Sequence, residues 1–351
     1  MSHDTAITGI ETPAMGSPEG CPPPLRCRQV AENWHAIAEP WSLPDSRLGT
    51  HGTQAGTGTP LYFLNAFGGC AELFTLIAWL LRDQHRCVLM DWSSSAGRHD
   101  HGSAWSWASG SVGTGTQSRA RGTRKTSTLD DFADDILAAA DHLGDRAFAV
   151  YGANFGTAVA ARLAVNEPDR VTSVVLQGAW EQRRLSLGER ALAWWYRGSN
   201  KSLSSWTSRE EFQTANHRIW FPPLDPDRWA WFLEMTGSIP LALMAAQARA
   251  IDGVDLTHDY ARLACPTMLL ATEGAGRWSL DGQERIAAAH PRFRYEYLHS
   301  TGQHPYLTHP HRIAKLVKGH LSGEAESAEG CCSSEESAAS AGCCGPAETP
   351  L

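Results

Sequence analysis

The sequence predicts an α/β protein, a mostly parallel, doubly wound sheet interrupted by a helical insertion. Three observations carry that reading. Short apolar runs alternate with segments whose apolar residues repeat at helical spacing, the pattern left by βαβ units. The alternation stops at about residue 181 and resumes at Pro266. Between these stretches, Gly152 and Gly156 separate a strand-like run from a helix of small residues, which marks a tight strand-to-helix turn.

In chain order, residues 1–28 are rich in Pro, Gly and Ser, with Pro22, Pro23 and Pro24 in a row, and read as a disordered leader. Residues 34–37 read as a weak strand and 49–58 as loop. A buried strand is expected over Leu61, Tyr62, Phe63 and Leu64, then a helix carrying Leu73, Phe74, Ile77, Leu80 and Leu81, then a second strand over residues 87–91 ending in Asp91. Residues 93–125 form a Gly/Ser-rich insertion with a basic end. Ser127 or Thr128 can cap the next helix, whose first turn holds Asp130 and Asp131 and whose apolar positions run from Leu129 to Leu143.

The two-glycine turn follows, then a buried strand over residues 171–176. Residues 181–263 read as a helical cap holding six of the fourteen tryptophans (Trp194, Trp195, Trp206, Trp220, Trp229 and Trp231), more of them expected in the core than in contact with a ligand. A strand from Thr267, a helix over 282–289, a strand over 295–298 and a last helix with Ile313, Leu316, Val317 and Leu321 close the core, divided into residues 29–180 and 264–321 around the cap. Residues 322–351 are low-complexity, and a flexible acidic tail is expected there.

Composition narrows the function classes. Hydrophobic content of 42% and charged content of 19% suit a globular protein with a large core. Of the net charge of −8, six glutamates beyond Leu321 account for all but −2, so no nucleic-acid surface is expected. No apolar run approaches the length of a membrane span, and the first twenty residues lack a basic start and an apolar core. The expectation is a cytoplasmic protein with a small-molecule substrate and no membrane partner; protein partners are not specified. Five of the nine cysteines are scattered without metal spacing, consistent with reduced thiols.

The order of these pieces resembles the cap-bearing members of the α/β-hydrolase fold family, over roughly residues 58–321. Leu64-Asn65-Ala66-Phe67 stands where the family has its turn ahead of the first long helix. Asp91 begins the loop after the next strand, Gly152 to Gly156 stands at the nucleophile elbow, and Thr301-Gly302-Gln303-His304-Pro305 stands at the turn bearing the family's histidine. The resemblance implies that His304 is the general base and that the backbone N–H groups of Phe67 and Phe155 form the oxyanion site. It places Asn154 where the nucleophilic serine belongs, and Ala275 where the acid after the seventh strand belongs. Glu273, or Glu181 after the sixth strand, is the expected replacement acid.

A carboxamide is a poor nucleophile, because its lone pair is delocalised, but it donates and accepts hydrogen bonds. The leading expectation is therefore an enzyme, unlike a conventional serine esterase, that acts on a small, largely apolar substrate by non-covalent hydrolysis, lyase or cyclisation-type chemistry. A pseudo-hydrolase that only binds a ligand or partner is the first alternative. The second rests on Cys331, Cys332, Cys343 and Cys344, two vicinal pairs in the tail. Thiolates take soft ions, so the pairs read either as a soft metal or metalloid site of an accessory protein or as part of a solubilising tail. The core itself calls for no cofactor.

Overall fold

The computed structural model describes residues 25–44, 46–93 and 127–323. The expected leader up to residue 24, all of the 93–125 insertion except Ser93, and the tail from residue 324 lie outside the described residues. In the first half of the chain the structure places helices α1 (Cys27–Ile37), α2 (Thr75–Leu81), α3 (Leu129–His142) and α4 (Phe155–Asn166). The strands there are β1 (Glu39–Ser42), β2 (His51–Ala55), β3 (Thr59–Leu64), β4 (His85–Asp91), β5 (Phe148–Ala153) and β6 (Val171–Gln177).

A helical insertion follows, with α5 (Leu187–Tyr196), α6 (Arg209–His217), α7 (Pro226–Gly237), α8 (Leu241–Ile251) and α9 (Thr257–Arg262), and a two-stranded ribbon of β7 (Gln182–Arg183) and β8 (Val254–Asp255). The core closes with β9 (Thr267–Thr272), α10 (Arg277–Ala289), β10 (Arg294–Leu298), α11 (Pro305–Thr308) and α12 (Pro310–Leu321).

The main sheet has the order β1-β2-β4-β3-β5-β6-β9-β10. Only the β1/β2 and β2/β4 pairings are antiparallel; all others are parallel. The inner strands β5 and β9 are buried along their whole length, as expected of a parallel sheet covered on both faces. One apolar layer, with Phe132, Phe155 and Val159, packs on one side of the sheet. The other, with Trp34, Phe74, Ile77 and Val317, packs on the opposite side.

The structure corrects the expectation for residues 25–58. Residues 34–37 belong to helix α1, which begins at Cys27, inside the expected leader. Its buried residues Cys27, Val30, Ala31 and Trp34 fall at i, i+3, i+4 and i+7, a helical period rather than an alternating one. The stretch read as a loop contains β2, whose burial comes from pairing with β4 rather than from apolar side chains. Elsewhere the element types agree. Thr128 caps α3, accepting the Asp131 N–H at 3.2 Å while the Asp131 carboxylate accepts the Thr128 N–H at 2.7 Å, a reciprocal capping pair.

Two buried arginines act here, one within the insertion and one between it and the core. Arg209 on α6 donates to the Leu233 carbonyl of α7 at 2.7 Å. Arg228 on α7 donates to the carbonyls of Leu307 and Thr308, each at 3.2 Å. Helix α7 is thereby pinned beside the turn that carries His304. No helix among the described residues is long and apolar enough to cross a membrane.

Candidate active site

Asn154 stands between the end of β5 and the start of α4 with φ 47° and ψ −101°. A non-glycine residue at positive φ is costly outside functional turns. The turn is tight because both flanking glycines touch backbone. A Cβ on Gly152 would lie 2.4 Å from the Gly156 carbonyl oxygen, and one on Gly156 would lie 2.3 Å from that of Leu64. Strand β3 and the elbow therefore meet without room for a methyl group. Replacing Gly156 by alanine is expected to cost about 2–3 kcal/mol, read as a fall in Tm of roughly 5–10 °C. An unchanged Tm would show that the Leu64 carbonyl can move aside at little cost.

The Asn154 side chain makes no hydrogen bond among the described residues, and the residue is exposed. The Phe155 N–H, at the first position of α4, has no intrahelical acceptor and no other acceptor among the described residues. The same holds for the Phe67 N–H on the facing loop. That loop is fixed from below. The Asn65 carbonyl accepts the Gly156 N–H at 3.0 Å, and the Asn65 amide donates to Asp91 at 2.8 Å, while Asp91 also accepts the Ala71 N–H at 2.8 Å. Asp91 thus works as a loop anchor, and burial raises its carboxyl pKa.

Gln177, at the end of β6, joins the elbow to the histidine turn. Its carbonyl accepts the Asn154 N–H at 2.8 Å, and its side-chain amide donates to the Gln303 carbonyl at 2.9 Å. Its side-chain oxygen accepts the Tyr151 hydroxyl at 2.6 Å. Sequence reasoning missed this residue; its signal was a lone polar side chain ending a buried strand next to the glycine turn.

His304 is walled by rings from two parts of the chain. Its Nδ1 lies 2.8 Å from the Tyr306 hydroxyl. The Phe232 ring of α7 is 4.8 Å away, and the His217 ring, at the end of α6, is 5.2 Å away. Desolvation, with a smaller effect from His217, pushes the His304 pKa down to about 3. Burial also lowers His217, whose Nδ1 is buried without a partner among the described residues. Burial raises the Tyr306 phenol, so it keeps its proton.

The hydrogen bond then has a preferred sense. The only hydrogen bond of the Tyr306 hydroxyl among the described residues is the one to His304, and a buried O–H left without an acceptor is costly. Tyr306 therefore donates to Nδ1, the proton of the neutral imidazole sits on Nε2, and His304 presents an N–H donor.

The expected replacement acids have other partners. Glu181 is held by Arg285 at 2.9 Å, and Glu273 accepts the Ser300 N–H at 2.7 Å. Neither hydrogen-bonds to His304, whose ring nitrogen is taken by a phenol instead. Tyr306 and His217 were not singled out in the sequence: Tyr306 is hidden in a four-residue helix, and His217 belongs to the insertion, far away in the chain. Cys331, Cys332, Cys343 and Cys344 lie outside the described residues, and no group of three or more His, Cys, Asp or Glu residues suited to a metal ion occurs among the described ones.

A strand–elbow–helix with two obligate glycines, an unpaired N–H pair and a histidine turn after the last strands is the arrangement of one fold family. The model of the alpha/beta hydrolase fold family matches residues 59–310. The chain belongs to the α/β-hydrolase fold family. Solved structures agree on the fold. A thermophilic esterase from Thermogutta terrifontis, solved with malate bound, superposes with a TM-score of 0.60 at 18% identity, covering 82% of this chain and 98% of that one. A hydrolase from Pseudomonas aeruginosa PA01 gives 0.60 at 18%, covering 81% and 98%. An AqdC variant that recognises and cleaves the ring of the Pseudomonas quinolone signal gives 0.59 at 14%, covering 82% and 100%. At these identities the likeness speaks for the fold alone. A search of curated proteins found no match.

Proposed function

We propose that this α/β-hydrolase-fold chain is an enzyme that polarises a carbonyl oxygen of a small, largely apolar substrate without forming a covalent intermediate. The observation that carries this reading is the hydrogen bond from Tyr306 to His304 Nδ1, which makes the histidine a neutral donor rather than a base. With the free N–H groups of Phe67 and Phe155 and the carboxamide of Asn154, the site offers donors to an oxygen on which negative charge develops. A base whose conjugate acid has a pKa near 3 is poorly matched to proton abstraction at neutral pH. This reading therefore replaces a His304 general base with a His304 electrophile. Of the non-covalent hydrolysis, lyase and cyclisation-type chemistries, it favours those in which an oxyanion is stabilised as a leaving group departs, any proton passing to or from water, since the site offers no base of its own. Glu181 and Glu273 have no part in it.

The second reading is a non-catalytic ligand-binding protein, and one observation favours it: no carboxylate among the described residues stands by to stabilise a charged imidazole. The two readings separate in one experiment. The wild type and His304→Ala are incubated with a panel of ketones, esters and lactones, with product mass and ligand-induced Tm shift recorded together. On the enzyme reading, at least one compound changes mass, and His304→Ala loses about 10²–10³-fold in rate. Compounds that raise Tm and are never converted would establish the binding reading instead.

A further inference from the structure

We infer that helix α5 is a docking surface for an anionic lipid surface, a role independent of the chemistry proposed for the Asn154/His304 site. The helix is built inside out. It rests on α8 through small side chains, Ala193 against Ala245 and Ala248, with Leu185 beside them, and Ala193 is its only buried residue. Its large apolar side chains point outward: Leu187 is 84% exposed, Leu192 58%, Trp194 60% and Trp195 74%. At 100° per residue these four span an arc of about 160° on the side away from Ala193. Tryptophans expected in the core therefore stand in water, as a continuous apolar face.

The charge around that face indicates what covers it. Along one edge, Arg190 and Arg197 lie seven residues apart, nearly two helical turns, and the Arg197 guanidinium lies 4.0 Å over the Trp194 ring. The carboxylates there, Glu189 and Asp252, are held by Arg183 and Arg190. Arg197, Lys201 and Arg249 form no ion pair among the described residues, and Arg184 acts on Asp252 only at longer range; even with Asp255 of β8 counted beside Glu189 and Asp252, the cations at this end outnumber the carboxylates. Arg249 lies close enough to Arg197 for the two charges to interact.

An exposed Trp/Leu face with a basic border is the composition of a helix lying in a membrane interface, where indole rings favour the headgroup level and basic groups are drawn to anionic lipid. A second copy of the chain would set the same positive border against itself, which like charges oppose. The acidic tail, residues 324–351, could match the charge. It has no large apolar side chain other than Leu351, so it cannot cover the two tryptophans. The sequence expectation of no membrane partner rested on the lack of a spanning run, and a helix lying on the surface needs none.

The test is co-sedimentation of the full chain with vesicles of phosphatidylcholine alone and with about 30% phosphatidylglycerol added, read with tryptophan fluorescence. The wild type is expected to bind the anionic vesicles at least tenfold better than the neutral ones, with a blue shift, and to release as salt rises. A double variant, Trp194→Ser with Trp195→Ser, is expected to lose at least tenfold of that binding while keeping the wild-type Tm. Arg184→Glu should weaken binding without touching the apolar face. Three results would overturn the inference. These are failure to bind either vesicle, equal binding by the double variant, and a dimer that the double variant dissolves and anionic vesicles do not compete with.

Discussion

Asn154→Ser is expected to remain nearly inert toward a fluorophosphonate probe, and the wild type should not be labelled at residue 154 at all. The backbone is not the obstacle. The elbow already has its positive φ and its two close-packed glycines, and the Phe67 and Phe155 N–H groups are free to receive an oxyanion. On the donor reading proposed above, what is missing is a base that can take the serine proton. In a serine triad the buried carboxylate holds the imidazole in the right tautomer and stabilises the imidazolium, and losing that arrangement costs about 10⁴-fold in kcat, or roughly 5 kcal/mol of barrier. Here Tyr306 holds His304 in the opposite tautomer, Glu273 is bound to the Ser300 N–H and Glu181 to Arg285. The serine variant should therefore label about 10⁴-fold more slowly than an intact serine triad under the same conditions. Stoichiometric labelling within minutes would mean that His304 can act as a base after all, and the donor reading of the site would fall.

The fold was legible in the sequence wherever a local period reported it. The buried runs in β3, β4, β5, β6 and β9 and the 3.6-residue spacing in α3 each carry their own signal. Strand β2 was not legible. His51-Gly52-Thr53-Gln54-Ala55 has little intrinsic strand preference, and a partner strand distant in the chain decides its conformation. Helix α1 was obscured by the proline-rich residues directly before it. At the candidate site, Asn154 and His304 are singled out in the sequence because glycine turns mark them. The residues that set the properties of His304 could not. Phe232 and His217 reach it from the insertion, and that encounter depends on Arg228 binding the carbonyls of Leu307 and Thr308. A histidine's pKa belongs to its surroundings, and no spacing rule reports which rings will wall it.

The same burial predicts a steep loss of stability in mild acid. His304 has a native pKa near 3 against an unperturbed value of about 6.5. Its folded-state pKa is depressed, so the unfolded chain binds the proton more readily. The contribution of the neutral imidazole is whole above about pH 6.5 and is lost progressively as the pH falls toward 3. The full drop corresponds to on the order of 5 kcal/mol, a large share of the total stability of an ordinary domain. His217, His85, His309 and His320 are also lowered, mainly by burial, and push the same way. Asp91, raised by burial, opposes them, since a carboxyl that protonates more easily in the native state gains stability in acid. Denaturant unfolding from pH 7 to pH 4 should show stability falling with a slope that His304→Gln reduces by about 1.4 kcal/mol per pH unit, one proton's worth. A glutamine keeps the side chain polar and uncharged at every pH in that range, so a merely structural effect would shift the curve without changing its slope. Parallel curves for the wild type and His304→Gln would show that the imidazole is protonated as readily in the folded chain as in the unfolded one. His304 would then be a competent base at neutral pH, and the case for a neutral donor would be lost.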